Sequence, residues 1–344
     1  MNENRVNEIK KHFTDAGLTF HQTYDNEELL KYLETYQNVL AQCVFAKLHA
    51  EHLRARDVMT HFETMAKEYD VENMDEYRRF TKNMTELQRT IRCLKNGRRG
   101  EKNAEKALGL IRFEKDVEIL KNIEVQDGSN RTEYDEIVIS PKGITVIEVK
   151  SFNYDTRLTK EGNLVSCDGY KAQKHNYNLG EKMNVKEYLI RKLVSEKLAQ
   201  RGVEIPFEYQ GIVLYANNDS VLTDEYGQLA ICYCSTISKY IRDNCCQGTL
   251  TKEQIQILKE VIEEMHTPQK YACRIDCEKL TEDFALLMAK IEELADERNN
   301  KECDVDNGSE ENKKHFNWKR FGICAAIVGG VATGTGAFIF NRSR

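Results

Sequence analysis

With 344 residues, 40% hydrophobic and 31% charged, the chain has the composition of a globular protein and the length of two or three folded units. A formal net charge of −6 excludes a histone-like coat protein, so any nucleic-acid contact must be local. Eleven cysteines without regular spacing, behind a polar start with no apolar leader, predict free thiols in a reducing cytoplasm rather than a disulfide framework.

The first 96 residues read as helix. Leu29, Leu33, Tyr36, Leu40, Val44 and Leu48 recur at steps of three and four, and Val58, Phe62, Met65 and Tyr69 continue the stripe. After a turn at 70–73, Met74, Tyr77, Phe80, Met84, Leu87, Ile91 and Leu94 repeat the pattern. Two long helices folded back as a hairpin would hide both stripes, and so would a coiled coil with a second chain. His49, His52 and His61 lie on these helices without a carboxylate pattern to make them ligands.

Gly97 and Gly100 are expected to break the helical run, and a short helix resumes from Glu101 to Ile111. Strands follow at 116–125, 133–140 and 144–151. Pro141-Lys142-Gly143 makes a hairpin of the last two. Helix is expected at 170–201, strand at 209–215 and 229–234, and helix at 235–243. That order predicts an α/β unit with a mixed sheet flanked by helices over 97–243.

A helical extension is expected over 244–298 and a polar linker over 299–318. Phe321–Phe340 carries no charge and is long enough to cross a bilayer as a helix within 319–341. Gly322, Ala326, Gly330 and Gly334 give it a small-residue face suited to close helix pairing. Lys313, Lys314, Lys319 and Arg320 precede it, which predicts a single-pass anchor with the soluble part in the cytoplasm.

The chemistry sits on the hairpin. Glu148 and Lys150 are two apart on one strand and share a face, and the partner strand can bring Asp135 beside them. Charges on such apolar strands cost several kcal/mol to bury without compensation. Two carboxylates holding a divalent cation are one solution, with the lysine stabilising charge on a phosphate. A cross-strand salt bridge is another. Among the cysteines, Cys232-Tyr233-Cys234, Cys245-Cys246 and the pair Cys273 and Cys277 lack the C-x-x-C spacing of a zinc module.

Gly97-x-x-Gly100-Glu101, Tyr134-Asp135-x-x-Val138-Ile139-Ser140-Pro141-x-Gly143-Ile144 and Ile147-Glu148-Val149-Lys150 resemble the nuclease-related domain, NERD, which looks like a branch of the PD-(D/E)xK nucleases. The resemblance implies a restriction-endonuclease-like α/β fold and metal-dependent hydrolysis of nucleic acid, DNA above RNA. It implies Asp135 and Glu148 as ligands of Mg²⁺ or Mn²⁺, Lys150 as the catalytic lysine and Glu101 as an additional carboxylate. Glu133 is an alternative ligand. Gln173 and Tyr177, four apart on an expected helix face, match an element that holds DNA near the metal in some exonuclease branches. Glu136 departs from the family, where histidine often follows the aspartate. The competing expectation is a catalytically inactive nuclease fold serving as a membrane-anchored binding platform. Self-association through the N-terminal helices or the small-residue face is compatible with either.

Overall fold

The computed structural model describes residues 3–48, 57–111, 114, 116–167 and 174–305. The chain begins with α1 (Glu3–Asp15), β1 (Thr23–Tyr24), α2 (Asn26–Leu48), α3 (Val58–Glu68) and α4 (Asp75–Leu108). The central strands are β2 (Glu118–Asp127), β3 (Asn130–Ser140) and β4 (Gly143–Lys150). Next come β5 (Thr156–Leu158), β6 (Asn163–Ser166), β7 (Lys174–Asn178) and α5 (Leu179–Gln200). The chain continues through β8 (Glu208–Tyr215), β9 (Leu222–Asp224), β10 (Ala230–Tyr233), α6 (Ile237–Asn244), α7 (Lys252–Glu264), β11 (Tyr271–Ala272) and α8 (Cys277–Val305).

The architecture is mixed α/β. Five strands form the central sheet in the order β10-β8-β4-β3-β2. β4 runs parallel to β8 and β8 to β10, while β2, β3 and β4 form an antiparallel meander. Val146 of β4, Val213 of β8 and Ile137 of β3 pack on one face against Met183 and Ile190 of α5 and Leu258 of α7. Ile147, Ile212, Leu214 and Val138 face the other way, onto Ala104 and Leu108 of α4 and Ile237 and Ile241 of α6. Alternation along the strands thus assigns each residue to one of two helical layers.

The alternation slips at one place. Leu120 pairs with Ile137, and both reach the core beneath α5 and α7. Ile123 pairs with Tyr134, and these reach the same core although they lie an odd number of residues away. The slip falls at Asn122 and Asp135, and Asn122 takes a left-handed backbone with φ of 50°. Asp135 therefore sits where the sheet changes phase.

Three expectations need correction. α4 runs unbroken through Gly97 and Gly100, so the glycines do not end the helix. A glycine costs about 1 kcal/mol in a helix interior, and burial of Ile91, Gly100, Ala104 and Leu108 outweighs it. Gly100 instead permits close approach, because a Cβ there would lie 2.6 Å from Ser151 Cβ. Second, 174–178 is strand rather than helix. Asn178 caps α5, its side chain accepting from the Glu181 amide at 2.8 Å, so the helix starts at Leu179. The sequence reading also missed the small sheet β7-β6-β5-β9 that this strand joins. Third, α8 continues through 299–305, the start of the expected linker.

The N-terminal stripes are buried within the chain. Phe13, Tyr36, Phe62, Phe80 and Phe284 form an aromatic cluster joining α1, α2, α3, α4 and the first half of α8. Arg79 of α4 grips the buried Asp283 of α8 with two hydrogen bonds, at 2.8 and 3.1 Å. β1 pairs with β11, so chain from both sides of the central sheet meets in this layer. The chain divides after Glu293, and the described part of the second unit is the continuation of α8 to Val305. No helix among the described residues is long and apolar enough to cross a membrane, and the expected span lies outside them.

Candidate active site

The site lies at the carboxyl end of β4, an end where ligands bind in many open α/β sheets. Glu148 and Lys150 project from β4 toward the α5 layer, as the strand period requires. The register of β3 on β4, which ends at the Glu136 and Ile147 pair, carries Asp135 opposite Glu148. Asp135 Oδ2 accepts from the Val149 amide at 2.6 Å, so its carboxylate is fixed to the strand bearing Glu148.

Three ammonium groups converge on Glu148. Lys150 and Lys182 donate to Oε1, the latter at 2.6 Å, and Lys186 donates to Oε2. Side-chain exposure grades them: Glu148 is 1% exposed, Lys186 0%, Lys150 14% and Lys182 41%. Lys182 and Lys186 are four apart on α5 and share one of its faces. Lys186 Nζ also lies 5.4 Å from the centroid of the Tyr134 ring, whose hydroxyl donates to the Lys186 carbonyl at 2.8 Å. The buried lysine is thereby held at both ends.

Burial works to raise the Glu148 carboxyl, but the ammonium groups of Lys150, Lys186 and Lys182 together outweigh it and hold the group well below the carboxylate range. The neighbouring acids go the other way. Burial and then repulsion from Glu148 push Asp135 up. Burial and then the charge of Asp135 push up both Glu133 and Glu101. Burial, followed by repulsion from Lys150, pulls Lys182 down. These linked shifts put four carboxylates and three lysines within one electrostatic neighbourhood.

Asp135, Glu148 and Lys150 are thus brought together, and Glu101 and Glu133 lie within electrostatic reach. Gln173 lies outside the described residues, and Tyr177 stands on β7 rather than on a helix. Lys182 and Lys186 were missed from sequence. Their signal was two lysines four apart on a helix whose buried residues include Leu179, Met183 and Ile190. Among the described residues no group of three His, Cys, Asp or Glu side chains is placed to hold a metal ion.

Residues 96–215 match the family model of the nuclease-related domain, NERD. The matched segment starts inside α4, just before Gly97, and ends with β8, so it takes in Glu101, Asp135, Glu148, Lys150 and both helix lysines. No curated protein and no solved structure matches the chain. The similarity to the nuclease-related domain is confined to that segment. The aromatic-cored helical layer lies largely outside it.

Proposed function

We propose that the chain hydrolyses phosphodiester bonds of nucleic acid, DNA above RNA, with Mg²⁺ or Mn²⁺ held by Asp135 and Glu148 in a restriction-endonuclease-like fold. The observation that carries this reading is a buried carboxylate, Glu148, beside Asp135 at the carboxyl end of β4 within the NERD segment. The donor set fits a hard divalent cation, since both groups are carboxylates and both lie in a region of unusually dense acid. Lysine nitrogens now supply the positive charge that such a pair requires. When bound, the cation lowers the pKa of a water and stabilises charge on the phosphate.

The chain's own residues do the rest. Asp135 is held by the Val149 amide and cannot swing away. Lys186 stays buried and keeps Glu148 ionised. Lys150, on the same strand face as Glu148, is placed to steady the charge that develops on a phosphate oxygen. Lys182 reaches solvent and offers the rim a cation for the nucleic-acid backbone. Gln173 and Tyr177 are proposed as further strand contacts, and Glu101 as an auxiliary carboxylate. The span Phe321–Phe340 is proposed as a membrane anchor with the soluble part in the cytoplasm. Self-association is proposed through its small-residue face, since the apolar stripes of the N-terminal helices are buried within the chain.

The test is cleavage of plasmid DNA, linear DNA and RNA by the full chain, with Mg²⁺, Mn²⁺ or chelator. Metal-dependent cleavage that disappears in Asp135→Ala and Lys150→Ala supports the reading. One observation favours a second reading, a non-catalytic binding platform: three ammonium groups already satisfy Glu148. Absence of cleavage under every condition, with metal-independent binding of nucleic acid, would favour that reading instead. Membrane fractionation of the full chain against a version ending at 312 tests the anchor, which equal solubility would remove.

A further inference from the structure

We propose that Cys273 and Cys277 are a peroxide-reactive dithiol that closes into a disulfide joining the end of β11 to the start of α8. Cys273 follows the last residue of β11, and Cys277 is the first of α8. The three residues between them turn tightly, with the Cys277 amide donating to the Ile275 carbonyl at 2.9 Å. That turn brings the two thiols into hydrogen-bond contact and sets the Ile275 amide on the Cys273 sulfur.

The two sulfurs have different surroundings, which assigns their roles. Cys277 is buried, and its sulfur contacts the Tyr32 hydroxyl. Cys273 is half-buried and lines two cavities. One, of about 320 Å³, is also lined by His21, Tyr32, Arg274 and Glu278. The other, of about 450 Å³, opens toward Arg89 and Cys93 of α4. Cys277 also lines the first cavity, but Cys273 is the less buried of the two and alone lines the second, so a small oxidant meets Cys273 first. Two donors on one sulfur favour its thiolate: the hydrogen bond from Cys277 leads, burial opposes, and the Ile275 amide adds, bringing the Cys273 thiol down to about 7.

The reaction balances with a hydroperoxide as oxidant. The Cys273 thiolate attacks one peroxide oxygen, the O–O bond breaks, and hydrogen peroxide leaves as hydroxide that takes up a proton to become water. Cys273 is then a sulfenic acid. The Cys277 sulfur attacks the Cys273 sulfur, the S–S bond forms, the S–O bond breaks, and a second water leaves carrying the Cys277 proton. Two thiols are oxidised and one peroxide is reduced to two waters.

The test treats the reduced full chain with a few equivalents of hydrogen peroxide, blocks remaining thiols and maps tryptic peptides. Trypsin cuts after Arg274, between the two cysteines, so the disulfide reveals itself directly. Peptides 271–274 and 275–279 should be recovered joined, with both cysteines protected from the blocking reagent. Reaction at Cys273 should run roughly tenfold faster at neutral pH than at the exposed Cys93 and Cys167, which lack a second thiol in contact. In Cys277→Ala the same peroxide should leave a sulfenic acid on Cys273 that dimedone traps. The proposal is overturned if the two peptides separate after oxidation, if Cys273 is found joined to Cys93, or if Cys273 reacts no faster than the exposed thiols. The peptide map of the unmutated chain decides the matter even where a variant fails to fold.

Discussion

Lys186→Met is the substitution that most directly tests how the charge cluster is held. Lys186 and Glu148 are both essentially removed from solvent and in direct contact. Removing one partner of a buried ion pair costs about 3–5 kcal/mol, mainly because the other charge is stranded. Here Lys150 and Lys182 still hold Oε1, so Glu148 loses the donor to Oε2 but not all compensation. The expected cost therefore falls at the low end, about 3 kcal/mol. Glu148→Gln is expected to cost as much or more: Lys150 and Lys182 can turn toward solvent, but Lys186 cannot. Combining the two removes both buried charges, and the pair of changes should cost about 3 kcal/mol less than the sum of the single changes. Lys182→Met should cost less than about 1 kcal/mol, because its side chain is 41% exposed and its end reaches solvent. Urea unfolding measures all four, with the slope checked for constancy before midpoints are compared. Equal costs for the Lys186 and Lys182 variants, or simple additivity in the double variant, would refute the picture of a buried pair with two accessory cations.

Three further outcomes are expected. Glu101→Gln should stabilise the chelator-treated protein at neutral pH: burial and then Asp135 raise the folded carboxyl, so the stability it contributes is whole below the unfolded value and lost as pH rises through the folded one. The advantage over the unmutated chain should vanish in acid, and an advantage that persists there would contradict the assignment. Gly100→Ala should destabilise by about 1–3 kcal/mol from overpacking against Ser151, offset by about 1 kcal/mol of helix propensity, and thermal unfolding reads the difference. Mg²⁺ or Mn²⁺ at a hundred times its dissociation constant should add about 2.7 kcal/mol to stability. That gain should be absent in Asp135→Ala, and an equal gain in both would place the cation elsewhere.

Strand alternation and the Pro141-Lys142-Gly143 turn made the central hairpin legible, because local pattern and long-range pairing agree there. Glu148 and Lys150 were legible for the same reason, being charges on strands otherwise rich in Val and Ile. The small sheet was not. Its strands β5, β6 and β9 are three, four and three residues long, too short to show a period. The glycines in α4 misled because a glycine's role there is close packing, visible only once Ser151 lies beneath it. Lys186 was hidden for a related reason. A lysine on a helix reads as surface, and only the three-dimensional coincidence with Glu148 makes it a core residue.

The charge balance of the site bears on how catalysis and structure could share the same residues. Glu148 carries one negative charge and is met by three ammonium groups, an excess that no simple salt bridge requires. Each additional lysine brought to one carboxylate adds repulsion among the cations, and that repulsion contributes to the depressed Lys182. The excess is offset by the surrounding acids, Asp135, Glu133 and Glu101, each of which is pushed toward its neutral form. Neither set is comfortable alone. A divalent cation at Asp135 and Glu148 would relieve the crowded acids and free the exposed lysine, and a polyanion laid across the rim would then engage it. The three lysines are also graded in burial from 0% to 41%, so one can move without dislodging the others. That gradation predicts that Lys182→Met weakens nucleic-acid binding and its salt dependence while leaving the fold intact.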